Sequence, residues 1–121
     1  MAQILIVDDD TAVRTFVIRA LQQRGYTAHE ARDGDSALAF LDSASAIDLV
    51  VSDIVMPGMD GVELREELKQ RYPCLKVLLM TGYAGGKDQA RAIASEATEV
   101  IEKPFTLQTI YDAVARALEK D

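Results

Sequence analysis

Two rhythms of apolar residues alternate along the chain. Uninterrupted apolar runs at residues 4–7, 49–51 and 76–80, with weaker ones at 26–30 and 100–102, have the length and branched-chain character of β-strands. Between them the apolar positions switch to the helical period. In the first such segment Val13, Phe16, Val17, Ala20 and Leu21 follow the i, i+3, i+4, i+7, i+8 rule. Asp10 or Thr11 is placed to cap its start and Gly25 to end it. Ala37, Leu38 and Leu41 mark a second helix, Leu64 and Leu68 a third after Gly61, and Leu107, Ile110, Val114, Ala117 and Leu118 a last one after Pro104. Tyr72 and Pro73 end the third. A segment at 87–97 carries mostly Ala and follows a loop holding Gly82, Gly85 and Gly86, which predicts a short, loosely held fourth helix.

Five strands alternating with five helices predict an α/β fold, and strands without polar interruptions predict a parallel sheet covered on both faces. Right-handed crossovers then bring the carboxyl ends of all strands to one edge, where ligands of such sheets bind. The chain of 121 residues, 49% hydrophobic, suits one domain spanning 1–121. Acidic residues outnumber basic ones by 20 to 13, and the net charge of -7 argues against a surface that itself binds nucleic acid or anionic lipid. No apolar run reaches the length of a signal-peptide core or a membrane span. The lone Cys74 has no partner for a disulfide or a zinc site, reads as a partly buried apolar residue, and suits a reducing cytoplasm.

The unusual polar residues gather at the strand ends. The first strand runs into Asp8, Asp9 and Asp10, and the third ends in Ser52 and Asp53. Carboxylates held a few Å apart repel by several kcal/mol at intermediate dielectric, so the cluster calls for protons or a divalent cation, and an all-oxygen donor set favours Mg²⁺ or a similar hard ion. Asp10 alone is accounted for by helix capping. The fourth strand ends at Thr81 and the fifth at Lys103, adding a hydroxyl donor and an ammonium to the same edge. A carboxylate acceptor, a neutralising metal and donors for the remaining oxygens are what phosphoryl transfer requires.

Four blocks, Ile4-Leu-Ile-Val-Asp-Asp-Asp10, Asp48-Leu-Val-Val-Ser-Asp-Ile-Val-Met-Pro-Gly-Met-Asp-Gly61, Leu78-Leu-Met-Thr-Gly82 and Glu102-Lys-Pro-Phe105, resemble in order and spacing the signature blocks of response-regulator receiver domains. The resemblance covers essentially the whole chain. It implies a CheY-like, flavodoxin-like sheet of order 2-1-3-4-5 and a signalling switch rather than a metabolic enzyme. It implies further that Asp53 accepts the phosphoryl group, catalysing its own phosphotransfer and dephosphorylation with Thr81 and Lys103. The metal set would be Asp9 directly, Asp8 through a held water, Asp53, and the backbone carbonyl of Val55. The donor would be a histidine kinase or histidine phosphotransfer protein, and the readout a downstream protein partner. A cis peptide between Lys103 and Pro104 is also implied, as is a third helix starting at Gly61 where a side chain would crowd the loop.

One position departs from the family pattern. Where many receivers carry an aromatic residue three places before the lysine, this chain has Val100. The readout then falls to Tyr83, to the weak fourth helix, or to a change of different size. Within the family, the subsequence from Leu78 to Ala84 with Val100 looks similar to single-domain alphaproteobacterial regulators of the CpdR type, which act as protease adaptors. A phosphorelay shuttle and a receiver belonging to a larger regulator or hybrid kinase are the alternatives. Met1, three residues before the first strand, favours a stand-alone protein.

Ile18 and Tyr111 flank the core stripes of the first and last helices, which in this family dock the phosphodonor, though ordinary packing explains both. His29 reads as a surface residue near the end of the second strand, and Met56 and Met59 as loop packing. Among rival functions, a haloacid dehalogenase-type phosphatase needs Thr where Ala12 stands, and a flavodoxin-like carrier needs a phosphate loop free of the three aspartates. A receiver reduced to constitutive binding is opposed by the intact Asp9, Asp53, Thr81 and Lys103.

Overall fold

The computed structural model describes residues 2–43, 46–82 and 99–119. Five strands, β1 (Gln3–Val7), β2 (Thr27–Ala31), β3 (Leu49–Asp53), β4 (Lys76–Thr81) and β5 (Glu99–Glu102), form one parallel sheet of order β2-β1-β3-β4-β5. The described helices are α1 (Thr11–Gln23), α2 (Gly34–Ser43), α3 (Gly61–Arg71) and α4 (Leu107–Glu119). The helix expected at 87–97, with Tyr83 and the glycines at 85 and 86, lies outside the described residues.

The pleat explains why the strands read as unbroken apolar runs. Ile4 and Ile6 of β1 pack with Leu49, Val51, Leu78 and Met80 against Val17, Leu21, Ile110 and Val114 of α1 and α4. Leu5 and Val7, pointing the other way, pack with Val50, Val77 and Leu79 against Leu38, Leu41, Leu64 and Leu68 of α2 and α3. Both faces are therefore dry, and alternation in polarity would cost burial on one of them.

Three sequence expectations need correction. Phe16 and Leu107, placed on core stripes by periodicity, are 40% and 43% exposed. Phe16 instead points its ring toward Phe105, with centroids 6.2 Å apart. Cys74 is exposed rather than partly buried, because it sits in the connection between α3 and β4 beyond the sheet's amino edge. His29 is half-buried within β2, its Nε2 2.8 Å from Gln3 Oε1 and its ring 5.2 Å from Phe40. Ile18 and Tyr111 pack against the core. Tyr111 also donates its hydroxyl to Gln23 and lies under the Arg24 guanidinium, joining α4 to the end of α1.

Candidate functional site

The carboxyl ends of β1, β3, β4 and β5 deliver four residues to one edge. Asp8 directly follows β1, and its N–H extends the ladder by donating to the Ala31 carbonyl at 3.2 Å. Asp53 ends β3 and Thr81 ends β4, both buried. Lys103 follows β5, its N–H donating to the Thr81 carbonyl at 3.0 Å, and the Lys103–Pro104 peptide is cis. Asp8, Asp9 and Asp53 each place a carboxylate oxygen within 4.8 Å of the others, with Asp8 and Asp53 buried and Asp9 exposed.

Asp10 stands apart from this group. It is the N-cap of α1, its Oδ1 accepting from the Ala12 and Val13 amides at 2.9 and 3.3 Å. Its own N–H donates to Asp8 Oδ1 at 2.9 Å. The Lys103 ammonium bridges the remaining charges, 3.2 Å from Asp53 Oδ2 and 3.5 Å from Asp8 Oδ2. Asp53 Oδ1 accepts from the Ile54 amide at 2.9 Å.

The balance of these contacts sets the protonation. Burial pushes the Asp8 carboxyl above the ordinary aspartate value, helped by the Asp53 charge and opposed by the Asp10 amide and Lys103. Burial likewise raises Asp53, against the pull of Lys103 and the Ile54 amide. For Lys103 burial acts downward, yet the two carboxylates outweigh it and hold the ammonium above its ordinary value. One cation thus falls short of neutralising the buried carboxylates. A second, divalent cation fits this shortfall, and a group offering only carboxylate oxygens suits a hard ion such as Mg²⁺. The Asp8, Asp9 and Asp53 oxygens lie within 4.8 Å of one another, close enough for the group to share one ion.

Thr81 donates its hydroxyl to the Ile101 carbonyl at a long 3.4 Å, so a stronger acceptor would readily draw it away. Val55 lies two places after Asp53 and is exposed; its side chain carries no donor or acceptor atom, so only its main chain could serve a site at this edge. Val100 packs against the core face formed with α2 and α3.

Gly61 shows how tightly the loop is drawn. A Cβ there would lie 2.3 Å from the Asp53 carbonyl oxygen and 2.8 Å from the Ile54 Cα. Asp60 caps α3 immediately before it in a reciprocal capping box with Glu63, and Gly61 N–H donates to the Ile54 carbonyl at 2.7 Å. Gly61→Ala is expected to destabilise the fold by about 2 kcal/mol or more, since the clash is with backbone. A urea midpoint unchanged from wild type would show that the loop yields freely.

One participant escaped the sequence reading. Arg14, on α1, reaches back with Nη1 2.7 Å from the Asp8 carbonyl and Nε 2.8 Å from Glu30 Oε1. Its spacing on α1 marks it as a polar-face residue, and nothing in the sequence pairs it with β2.

With this geometry in place, the comparisons with known proteins are specific. A family model of the response regulator receiver domain matches residues 4–115, and the chain belongs to that family. It is 41% identical over 120 residues to the sensor kinase CckA of Brucella abortus (strain 2308), covering 98% of this chain and 13% of that protein. To the response regulator receiver protein CpdR of the same organism it is 33% identical, covering 98% of each. The solved receiver domain of NtrX from Brucella abortus matches with a TM-score of 0.91 at 36% identity, covering 98% of this chain and 99% of that one. CheY4 of Vibrio cholerae matches with a TM-score of 0.88 at 32% identity, with 98% and 99% covered. The chain thus spans only a small part of some curated relatives and nearly all of others. No described helix is long and apolar enough to cross a membrane.

Proposed function

We propose that this response regulator receiver domain is a phosphorylation-controlled switch of two-component signalling. We propose that Asp53 is its phosphoacceptor and that the chain catalyses the transfer itself, in a single domain over 1–121 located in the cytoplasm. The observation that carries this is the meeting of Lys103 Nζ, 3.2 Å from Asp53 Oδ2, with the Asp8, Asp9 and Asp53 carboxylates.

A carboxylate oxygen of Asp53 attacks the phosphorus of a phosphohistidine on a kinase or phosphotransfer protein. The new O–P bond forms as the P–N bond breaks, and the imidazole leaves with the electron pair of that bond. Lys103 stabilises an oxygen of the transferred group, and Thr81 exchanges the Ile101 carbonyl for another. Asp9, Asp53, the Val55 carbonyl and, through a water, Asp8 would hold Mg²⁺, which when bound neutralises charge between acceptor and phosphoryl oxygens. Moving Thr81 alters the edge between β4 and β5, and with Val100 in place of an aromatic ring the change reaches a downstream protein partner without a ring rotation. Hydrolysis follows when a water oxygen attacks the phosphorus and the Asp53 carboxylate leaves with the electron pair of the O–P bond, which releases inorganic phosphate.

Acetyl phosphate should label the chain as an acyl phosphate, released by hydroxylamine and absent when a chelator removes divalent ions. A label that survives hydroxylamine, or forms equally with chelator, overturns the proposal. A second reading is favoured by the 41% identity to sensor kinase CckA, higher than the 33% to CpdR: the receiver would relay its phosphoryl group onward rather than present a surface to an adaptor's client. Capture of partners with and without beryllofluoride separates the two. State-dependent binding of a histidine phosphotransfer protein supports the relay, and of any other partner the adaptor.

A further inference from the structure

The Asp9 carboxylate is exposed, yet the peptide groups on both sides of it are tied down. On the far side, the Asp10 N–H donates to Asp8 Oδ1 at 2.9 Å. On the near side, the Asp8 carbonyl accepts from Arg14 Nη1 at 2.7 Å. Arg14 is itself anchored: it lies in the first turn of α1, its amide donates to the Asp10 carbonyl at 3.0 Å, and Nε donates to Glu30 Oε1 at 2.8 Å. Glu30 sits on β2 in register with Ile6, just before the Ala31 whose carbonyl receives the Asp8 N–H. The guanidinium, with a side chain only 13% exposed, thus links helix, strand and loop. A planar fork with several donors can hold a carbonyl and a carboxylate at once, which an ammonium on a flexible stem cannot do with the same geometry.

We propose that Arg14, braced by Glu30, is a positioning residue for the divalent-cation site: it fixes the Asp8 carbonyl and so the direction in which the next residue, Asp9, offers its carboxylate. This rests on the metal site described under the proposed function. The guanidinium touches neither acceptor nor transferred group, so its effect falls on cation affinity and leaves the rate at saturating cation alone. Groups that orient metal ligands typically change affinity by about 10-fold or more when removed. A charge effect has the opposite sign, because deleting a cation near the carboxylates would tighten Mg²⁺ binding.

The test is a calorimetric Mg²⁺ titration of the full chain, paired with acetyl phosphate labelling at increasing Mg²⁺. Arg14→Ala should weaken Mg²⁺ binding about 10-fold, with the labelling rate at saturating Mg²⁺ preserved. Glu30→Gln, which keeps the Arg14 bond to the Asp8 carbonyl but removes its charged brace, should give a smaller loss in the same direction that persists at high salt, where the loss of an exposed anion is screened. Arg14→Lys should recover only part of the affinity. Unchanged or tighter Mg²⁺ binding in Arg14→Ala overturns the inference, and so does a fall in the saturated rate without a change in affinity. If Arg14→Ala fails to fold, Glu30→Gln decides, and wild-type affinity in that variant overturns it. Absence of Mg²⁺ uptake by the wild-type chain would instead reject the underlying site.

Discussion

Asp53→Asn is expected to abolish labelling by acetyl phosphate while the chain stays folded. Asp8 and Asp9 remain in this variant, so the experiment asks which carboxylate is the nucleophile. Asp8 is fully buried, its oxygens held by the Asp10 amide and by Lys103, with no approach for a donor. Lys103 contacts Asp53 and Asp8, and among the described residues no ion pair joins it to Asp9. Asn retains an oxygen to accept the Ile54 amide but offers no anionic nucleophile. Because burial holds the Asp53 carboxyl above its ordinary value, its ionised form is a net burden on the fold at neutral pH. Without divalent ion, Asp53→Asn should therefore be the more stable protein by about 1 kcal/mol or more. Mass spectrometry and thermal denaturation check the two halves. Stoichiometric label on the variant would reject Asp53 as acceptor, and a lower melting temperature would reject the electrostatic account.

Lys103→Met should act in the reverse direction on stability. Removing the ammonium leaves two buried carboxylates facing each other, a loss of about 2 kcal/mol or more at neutral pH. The pH dependence follows from the raised carboxyls. A carboxyl whose folded value exceeds its unfolded value binds its proton more tightly in the native state, so native stability declines as pH rises through that interval. Deleting Lys103 raises Asp8 and Asp53 further, so the penalty should shrink on acidification, as both become neutral. Lys103's own contribution, from a raised ammonium, is complete below its unfolded value and is lost as pH climbs through the folded one. Urea unfolding of wild type and variant across the acidic to neutral range measures this. A penalty that is constant with pH would show that Lys103 matters through packing alone.

Much of the fold was legible because both sheet faces are buried. Ile4 and Ile6 serve one face and Leu5 and Val7 the other, so the strand reads as a continuous apolar run whichever face is considered. The helical stripes were legible in the middle of each helix and failed at the rim. Phe16 and Leu107 keep the period but remain partly exposed to solvent. Ala113 of α4 is fully buried beside the stripe that Ile110, Val114 and Ala117 form.

The site was legible for a topological reason: parallel strands send their carboxyl ends to one edge, so Asp8, Asp9, Asp53, Thr81 and Lys103 had to meet there. Their individual roles came from resemblance. The Arg14 link to Asp8 and Glu30 was not legible, because it depends on how far α1 rotates over β2, which residue spacing does not encode. Whether Tyr83 or the segment at 87–97 carries the readout concerns residues outside those described.

Isothermal calorimetry with Mg²⁺, at neutral pH and again in the acidic range, tests the central claim most directly. One ion should bind per chain, and affinity should fall on acidification at pH values above the ordinary aspartate range, because protons on Asp8 and Asp53 compete with the metal. No heat of binding at neutral pH, or an affinity indifferent to acid, would contradict it.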